Sequence, residues 1–422
     1  MYSFDWTGDF RALVRRASSG AAWRRVAPNV WLLGLTSLLT DISSEMVASV
    51  LPLYLVLGLG MSPFLFGVID GLYPGVTALV RWVAGALGDR TARHKELAVV
   101  GYAASAASRL AWLVIGVNTP LIAGTVTADR IGKGIRTAPR DALISLSAAP
   151  ADLGGAFGVH RAMDAAGAMV GPLVAFALLA VATGRFDLVF VVSFAFALVG
   201  LAVLVLFVRN PPAGARTGPA ASLASQTAAL ARHRQVWPAV IAGTALAAVT
   251  ISDAFIYLYL ALQYRGVIAP SMVPLLFVGT SFVYLLLAFP AGLLADRVPR
   301  WKVFLAGHLC LALLYLVLLM PSLGRAGVAA TLILLGAYYA STDGVLPAMA
   351  SAALPRELRG SGLGLLATAT SLARLVASVA FGWLWSQWGT TEAVTAFATA
   401  LPIVLAACGW ALARWEREII RP

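Results

Sequence analysis

The stretch Gly85-Ala86-Leu87-Gly88-Asp89-Arg90-Thr91-Ala92-Arg93-His94-Lys95 recurs as Gly292-Leu293-Leu294-Ala295-Asp296-Arg297-Val298-Pro299-Arg300-Trp301-Lys302. Both copies read Gly-x-Leu-x-Asp-Arg-x-x-Arg-x-Lys, lie 207 residues apart and close a long apolar run. A charged cassette repeated between hydrophobic segments implies a chain built from two similar membrane-embedded halves.

Composition agrees. The 422 residues are 60% hydrophobic and only 12% charged, and mean hydropathy is +0.85. Soluble domains run at about 45–50% apolar and about 25% charged, so half the usual charge is missing. A helical bilayer span needs about 20 apolar residues. Spans are expected at 30–57, 63–84, 96–117, 119–141, 155–182, 187–208, 237–262, 271–294, 302–321, 326–350, 359–385 and 391–413. The expected fold is all-α: twelve transmembrane helices in two pseudo-symmetric six-helix bundles, at 29–208 and 237–413. A barrel would show alternating segments of about ten residues, and none is visible.

Net charge is +12. Of the 31 Lys and Arg, only Arg185, Arg265 and Arg325 fall in loops assigned to the outside, and most others crowd the opposite face. That bias predicts a multi-pass protein of the bacterial inner membrane with both termini cytoplasmic. The basic segment 1–28, the linker 209–236 and the tail 414–422 then lie on the cytoplasmic side. The polyanion partner this implies is anionic lipid rather than nucleic acid. Cys310 and Cys408 sit inside spans, so neither a disulfide framework nor a metal site is expected. Nor is a cofactor, and a monomer is the expected state.

The repeat reaches past the cassettes. Thr40-Asp41 parallels Ser252-Asp253, Asp129 parallels Asp343, and Gly155-Ala156-Phe157-Gly158 parallels Gly362-Leu363-Gly364. Glycines spaced by four (Gly67, Gly71, Gly75; Gly154, Gly158; Gly167, Gly171) predict close helix contacts.

Ionisable groups deep in a bilayer cost at least about 2.5–3.5 kcal/mol each, so they need partners or a wet cavity. The spans nevertheless hold Asp41, Glu45, Asp70, Asp129, Asp164, Asp253 and Asp343, with Arg109, Arg130, Lys133, Arg161 and Arg374. Asp41 and Glu45 share a helix face, and two close, desolvated carboxyls favour a bound proton. One of them is expected to couple transport to protons; alternatively both pair with Arg130 or Lys133 and tie span 1 to span 4, or Glu45 contacts substrate directly. Arg130, Lys133, Arg136 and Arg140 form a stripe down span 4. Arg136, Arg140 and Asp141 are expected near the cytoplasmic end. His160 is a candidate proton relay, Arg161 and Asp164 are spaced to pair, and Arg374 is placed to neutralise Asp343.

Asp89 and Asp296 suggest a latch. A carboxylate at the cytoplasmic boundary can cap a helix that starts in the opposite half, where free N–H groups favour negative charge. Such a latch, made of Gly85, Asp89, Arg90, Arg93, Asp141, Gly292, Asp296, Arg297 and Arg300, could form only when that side is closed.

The cassettes resemble the signature between helices 2 and 3 of the major facilitator superfamily and its weaker copy between helices 8 and 9. Arg130-Ile131-Gly132-Lys133-Gly134 resembles the family's fourth-helix motif Arg-x-x-Gln-Gly, with Lys133 for Gln. Gly167-Ala168-Met169-Val170-Gly171-Pro172 resembles the fifth-helix motif Gly-x-x-x-Gly-Pro of its antiporters, marking Gly167, Gly171 and Pro172 as a packing hinge. The resemblance implies a carrier of small molecules that opens alternately to each side, with Arg130 facing the cavity and coupling proton movement to shape change.

Nothing points to an enzyme. Gly132-Lys133-Gly134 lacks the rest of a phosphate-binding loop, and His-Glu-x-x-His, Gly-x-Ser-x-Gly and Cys-x-x-Cys are absent. The expectation is therefore proton-coupled efflux by antiport, with proton-coupled uptake of an anionic metabolite as the alternative. Acids should dominate the cavity in the first case and uncompensated bases in the second. An intramembrane enzyme would instead need two aspartates converging on a substrate.

Overall fold

The computed structural model describes residues 26–91, 93–149, 152–210, 230, 232–264, 267–320, 324–355 and 358–420, with the side chains of 81–91 and 418–420 outside that description. Most of the expected segment 1–28 and linker 209–236 therefore lies outside the described residues. Every regular element among the described residues is helical.

The first half holds α1 (Pro28–Leu53), α2 (Pro63–Thr91), α3 (His94–Ala111), α4 (Thr119–Ser147), α5 (Leu153–Val181) and α6 (Phe186–Leu206). The second holds α7 (Trp237–Ala247), α8 (Asp253–Gln263), α9 (Val273–Arg297), α10 (Arg300–Leu318), α11 (Gly324–Thr342), α12 (Val345–Ala352), α13 (Arg359–Trp388) and α14 (Thr390–Ile420). Inside the first half α1 packs on α5 and α6, and α4 packs on α2 and α3. Inside the second, α11 packs on α9 and α10, and α13 packs on α7 and α14. The halves meet along two seams, α2 with α13 and α5 with α9. These seams exchange when the halves are exchanged, as a duplicated chain requires.

Nine helical stretches among the described residues are long and apolar enough to cross a bilayer. The other three expected spans are helical but fall short for physical reasons. α3 opens on His94-Lys95-Glu96 and carries Arg109, and α4 carries six charged residues between Asp129 and Asp141. The span expected at 237–262 is broken: α7 and α8 are 11 residues each.

That break is chemically satisfied. The Tyr315 hydroxyl accepts from Ile251 N at 2.8 Å and donates to Val249 O at 3.1 Å. Ser252 caps α8 by accepting from Phe255 N. Irregular backbone at membrane depth persists only where protein or a wet cavity pairs its polar groups. A second break separates α11 from α12 at Asp343-Gly344. Asp253 and Asp343 thus lie at helix breaks, whereas their first-half counterparts Asp41 and Asp129 lie in unbroken helices.

Glycines mark where backbones touch. A Cβ on Gly71 would stand 3.0 Å from Leu375 O, and Gly67 abuts Ser378 O, so α2 and α13 meet backbone to backbone. Gly167 and Gly171 do the same for α5 on α1. The expected contact at Gly154 and Gly158 is not made: each opens on empty space. A paired prediction follows. Gly171→Ala would press its methyl to 2.6 Å from Ile42 O, so its melting temperature in detergent should fall, reflecting about 1–3 kcal/mol. Gly158→Ala should melt with the parent chain, and equal melting of both variants would contradict the packing.

Candidate functional site

The halves enclose a central cavity of about 1440 Å³. One end of the molecule carries the two cassettes; the other carries the α1–α2 connection. At the second end the α2–α13 seam is closed. Phe64 N donates to Ser386 Oγ at 2.8 Å and Ser378 Oγ donates to Asp70 Oδ2 at 2.5 Å. Phe66 meets Phe255 edge-on at 4.8 Å between ring centres. At the cassette end Gly154, Gly155, Gly292, Gly360 and Gly364 face open space, and Gly360 and Gly364 line the cavity. The cavity therefore opens at the cassette end.

The first-half charges form two buried groups. In one, Asp129 lies between two guanidiniums: Arg109 Nη1 reaches it at 2.9 Å, and neighbouring Arg130 binds its other oxygen. Arg109 also donates to Ser44 Oγ at 3.0 Å and to Ser108 Oγ at 3.2 Å, tying α3 to α1. Arg130 stacks over Tyr73 of α2 at 4.3 Å. Sequence reasoning places Asp129 and Arg130 in the site but assigns Arg109 no role. The signal is present, because one guanidinium in an apolar helix needs a buried acid nearby.

In the other group, Arg136 lies over the Tyr102 ring at 4.4 Å and approaches Asp41 Oδ1 at 3.8 Å. This corrects the expectation that Arg136 sits at the cytoplasmic end: it is buried against α1 and α3. Arg140 binds Asp141 at 2.9 Å and approaches Asp164 at 3.9 Å. His160 is buried, hydrogen-bonds Ser37 at 2.9 Å and lies 3.7 Å from Asp164. Asp164 therefore faces His160 and Arg140, while Arg161 lines the cavity. Asp41 and Asp164 stand on facing helices near enough for each charge to act on the other, and Gly167 sets the α1–α5 distance there, its Cβ position 3.0 Å from Asp41 Cβ.

Glu45 and Lys133 line the cavity with Arg130. The nearest ion pair of Asp41 is thus with Arg136, rather than with Arg130 or Lys133. On the second-half wall Asp253 accepts from the Tyr339 hydroxyl at 2.5 Å. Asp343 and Arg374 share that wall, and the Arg374 charge acts on both acids. The Arg374 Nε is buried and has no hydrogen-bond partner among the described residues. Tyr338 and Tyr339 line the cavity, whereas Tyr259 is buried against α10, its hydroxyl donating to Leu318 O at 2.6 Å. His308 and Asp70, to which sequence reasoning assigns no role, also line the cavity.

Among the described residues, Asp296 caps no helix of the opposite half in this state. Asp296 is 69% exposed, and its ion pair among the described residues is with Arg300 of its own cassette, at 3.6 Å. Arg93 and Arg297 are exposed, and Asp141 pairs with Arg140. The side chains of Gly85, Asp89 and Arg90 lie outside the described residues. Pro172 is buried one position after Gly171, whose Cβ would stand 2.9 Å from Glu45 Cβ.

Two helical halves around a charge-lined cavity that opens at one end define a membrane transporter. The chain matches the profile of the Major Facilitator Superfamily over residues 33–267 and 258–419, and belongs to that family. It is 29% identical over 376 residues to an uncharacterized MFS-type transporter of Methanocaldococcus jannaschii, covering 86% of this chain and 89% of the relative. An uncharacterized Mycobacterium tuberculosis protein is 32% identical over 161 residues, 38% of each chain. Among solved structures, the nucleoside transporter NupG aligns with a TM-score of 0.77 at 10% identity, over 92% of this chain and 98% of its own. A POT family transporter in complex with 5-aminolevulinic acid gives 0.78 at 12%, over 94% and 97%. An inward-facing, unoccupied bacterial homolog of the lysosomal transporter Spinster gives 0.66 at 15%, over 92% and 94%. At these identities the likeness is of fold.

Proposed function

We propose that this transporter is proton-coupled and exports a small molecule by antiport, from a bacterial inner membrane in which both termini are cytoplasmic. The observation that carries the coupling is that Asp41 of α1 and Asp164 of α5 stand where Gly167 brings those helices together, with Arg136 at 3.8 Å from the first and Arg140 at 3.9 Å from the second. Two neighbouring, partly desolvated carboxyls repel when both are charged, so the coupling proton is assigned to this pair. Loss of that proton draws Arg136 and Arg140 inward, so the charge state of the pair changes how α1, α4 and α5 fit together. Neither aspartate lines the cavity, which suits a proton site better than a catalytic pair facing substrate. Opening at the cassette end supports loading from the cytoplasm.

Four acids (Glu45, Asp70, Asp253, Asp343) and four bases (Arg130, Lys133, Arg161, Arg374) line the cavity. Neither sign dominates overall, but the walls differ. Lys133 beside Arg130 on the first-half wall favours a second reading, uptake of an anionic metabolite. Asp253 and Asp343 on the opposite wall favour export of a cation. Flux into and out of proteoliposomes, with and without a pH gradient, separates the two by direction. Asp41→Asn fixes one carboxyl of the pair as if protonated. It should leave downhill exchange of substrate intact and remove its response to a pH gradient. Unchanged proton dependence would exclude the pair.

A further inference from the structure

We propose that a small chamber beside the main cavity, between α8, α9 and α11, binds an organic ammonium group carried by the transported molecule. The inference rests on the transporter reading above and narrows its substrate class. The chamber measures about 200 Å³ and is walled by the rings of Tyr257, Phe277, Tyr284 and Tyr339 together with the carboxyls of Asp253 and Asp343. Among the described residues, no Lys, Arg or His contributes to its walls.

Each wall has a reason to stand where it does. The break before α8 puts Asp253 at the first residue of that helix, and the break after α11 frees Asp343 from a continuous turn. The two breaks thus bring two acids to one chamber. Tyr339 spends its hydroxyl on Asp253 at 2.5 Å, and Tyr257 spends its own on Thr280 at 2.7 Å. Tyr257 and Phe277 lie 4.4 Å apart between ring centres. With those hydroxyls committed, the walls offer a ligand aromatic rings and carboxylate oxygens, and aromatic rings next to carboxylates attract a desolvated cation.

Size fixes how much of the ligand enters. Drug-sized ligands occupy pockets of about 300–1,000 Å³, so this chamber holds a head group only. Asp253, Phe277, Tyr339 and Asp343 line both spaces, so the rest of the molecule would lie in the main cavity. Arg374 stands on the main-cavity side, and its charge acts on both acids. It serves as the internal counter-ion that an incoming ammonium displaces. Arg161 approaches from α5, its charge reaching Tyr284 at the chamber's edge.

The test compares choline with its uncharged carbon isostere, 3,3-dimethylbutan-1-ol, by calorimetric titration of the full-length protein in detergent. Choline should bind saturably, and the isostere at least about tenfold more weakly, because only the charge differs. Asp253→Asn and Asp343→Asn should each weaken choline by at least about tenfold, and Arg374→Gln should tighten it. Failure of choline to bind, equal binding of the isostere, or unchanged choline affinity in both carboxamide variants would overturn the proposal. The isostere comparison uses the unaltered chain, so it decides even where a variant fails to fold. Binding at equilibrium needs no gradient. Flux through the unaltered chain that ignores a pH gradient would therefore sink the coupling proposal and leave this one standing.

Discussion

Replacing Asp129 by alanine should abolish transport and lower stability by about 3–5 kcal/mol, the cost of stranding a buried charge. Among the described residues, Asp129 is the acid paired with Arg109 and Arg130, through opposite oxygens. Arg109 is 2% exposed, so water cannot take over the lost interaction. The serines around Arg109 accept hydrogen bonds but carry no charge. Thermal melting in detergent and reconstituted flux read the two effects. Asp129→Ala combined with Arg109→Leu should recover part of the stability, because one of the two orphaned cations is gone. A single variant that melts within a degree or two of the parent would show that the pair is not what holds α1, α3 and α4 together.

Asp296→Ala should slow transport by at least about tenfold without reducing membrane insertion or melting temperature. In the state described, Asp296 faces solvent beside Arg300, so its removal takes nothing from this packing. Its role is proposed for the opposite state, in which the cassette ends approach and the carboxylate caps the free N–H groups at the start of α5. Such a cap is worth about 0.5–2 kcal/mol, enough to shift a balanced two-state equilibrium by about tenfold. Normal turnover in this variant would remove the latch from the account.

Much of the architecture was legible in the sequence because hydrophobic length and charge placement are local signals. The cassettes, the polar linker and the apolar runs announce two similar halves without any tertiary knowledge. The breaks were not legible. Thr250-Ile251-Ser252 contains neither Gly nor Pro, and what holds it open is the hydroxyl of Tyr315, 64 residues away from Ile251. Pairing of the charges was legible only in part. Asp41 and Glu45 share a face of α1, but the helix that packs against Asp41 is α5, at Gly167, and helical spacing cannot report which helix lies alongside. Arg136 looked terminal because it follows a run of bases, yet Gly132 lets α4 approach α3 so closely that Arg136 is covered by Tyr102. The glycines at 154 and 158 share the spacing of those at 67 and 71, and only the latter face a partner.

The central claim is that the two ends open in alternation around one cavity. Pulsed electron–electron spin resonance tests it on a chain with Cys310 and Cys408 replaced by alanine. One label pair at Ser62 and Trp388 spans the α2–α13 seam at the closed end; another at Asp152 and Val298 spans α5 and α9 at the cassette end. Across a pH range and with substrate, the account predicts two populations in which one distance lengthens whenever the other shortens. Distances that stay fixed, or that lengthen together, would contradict it.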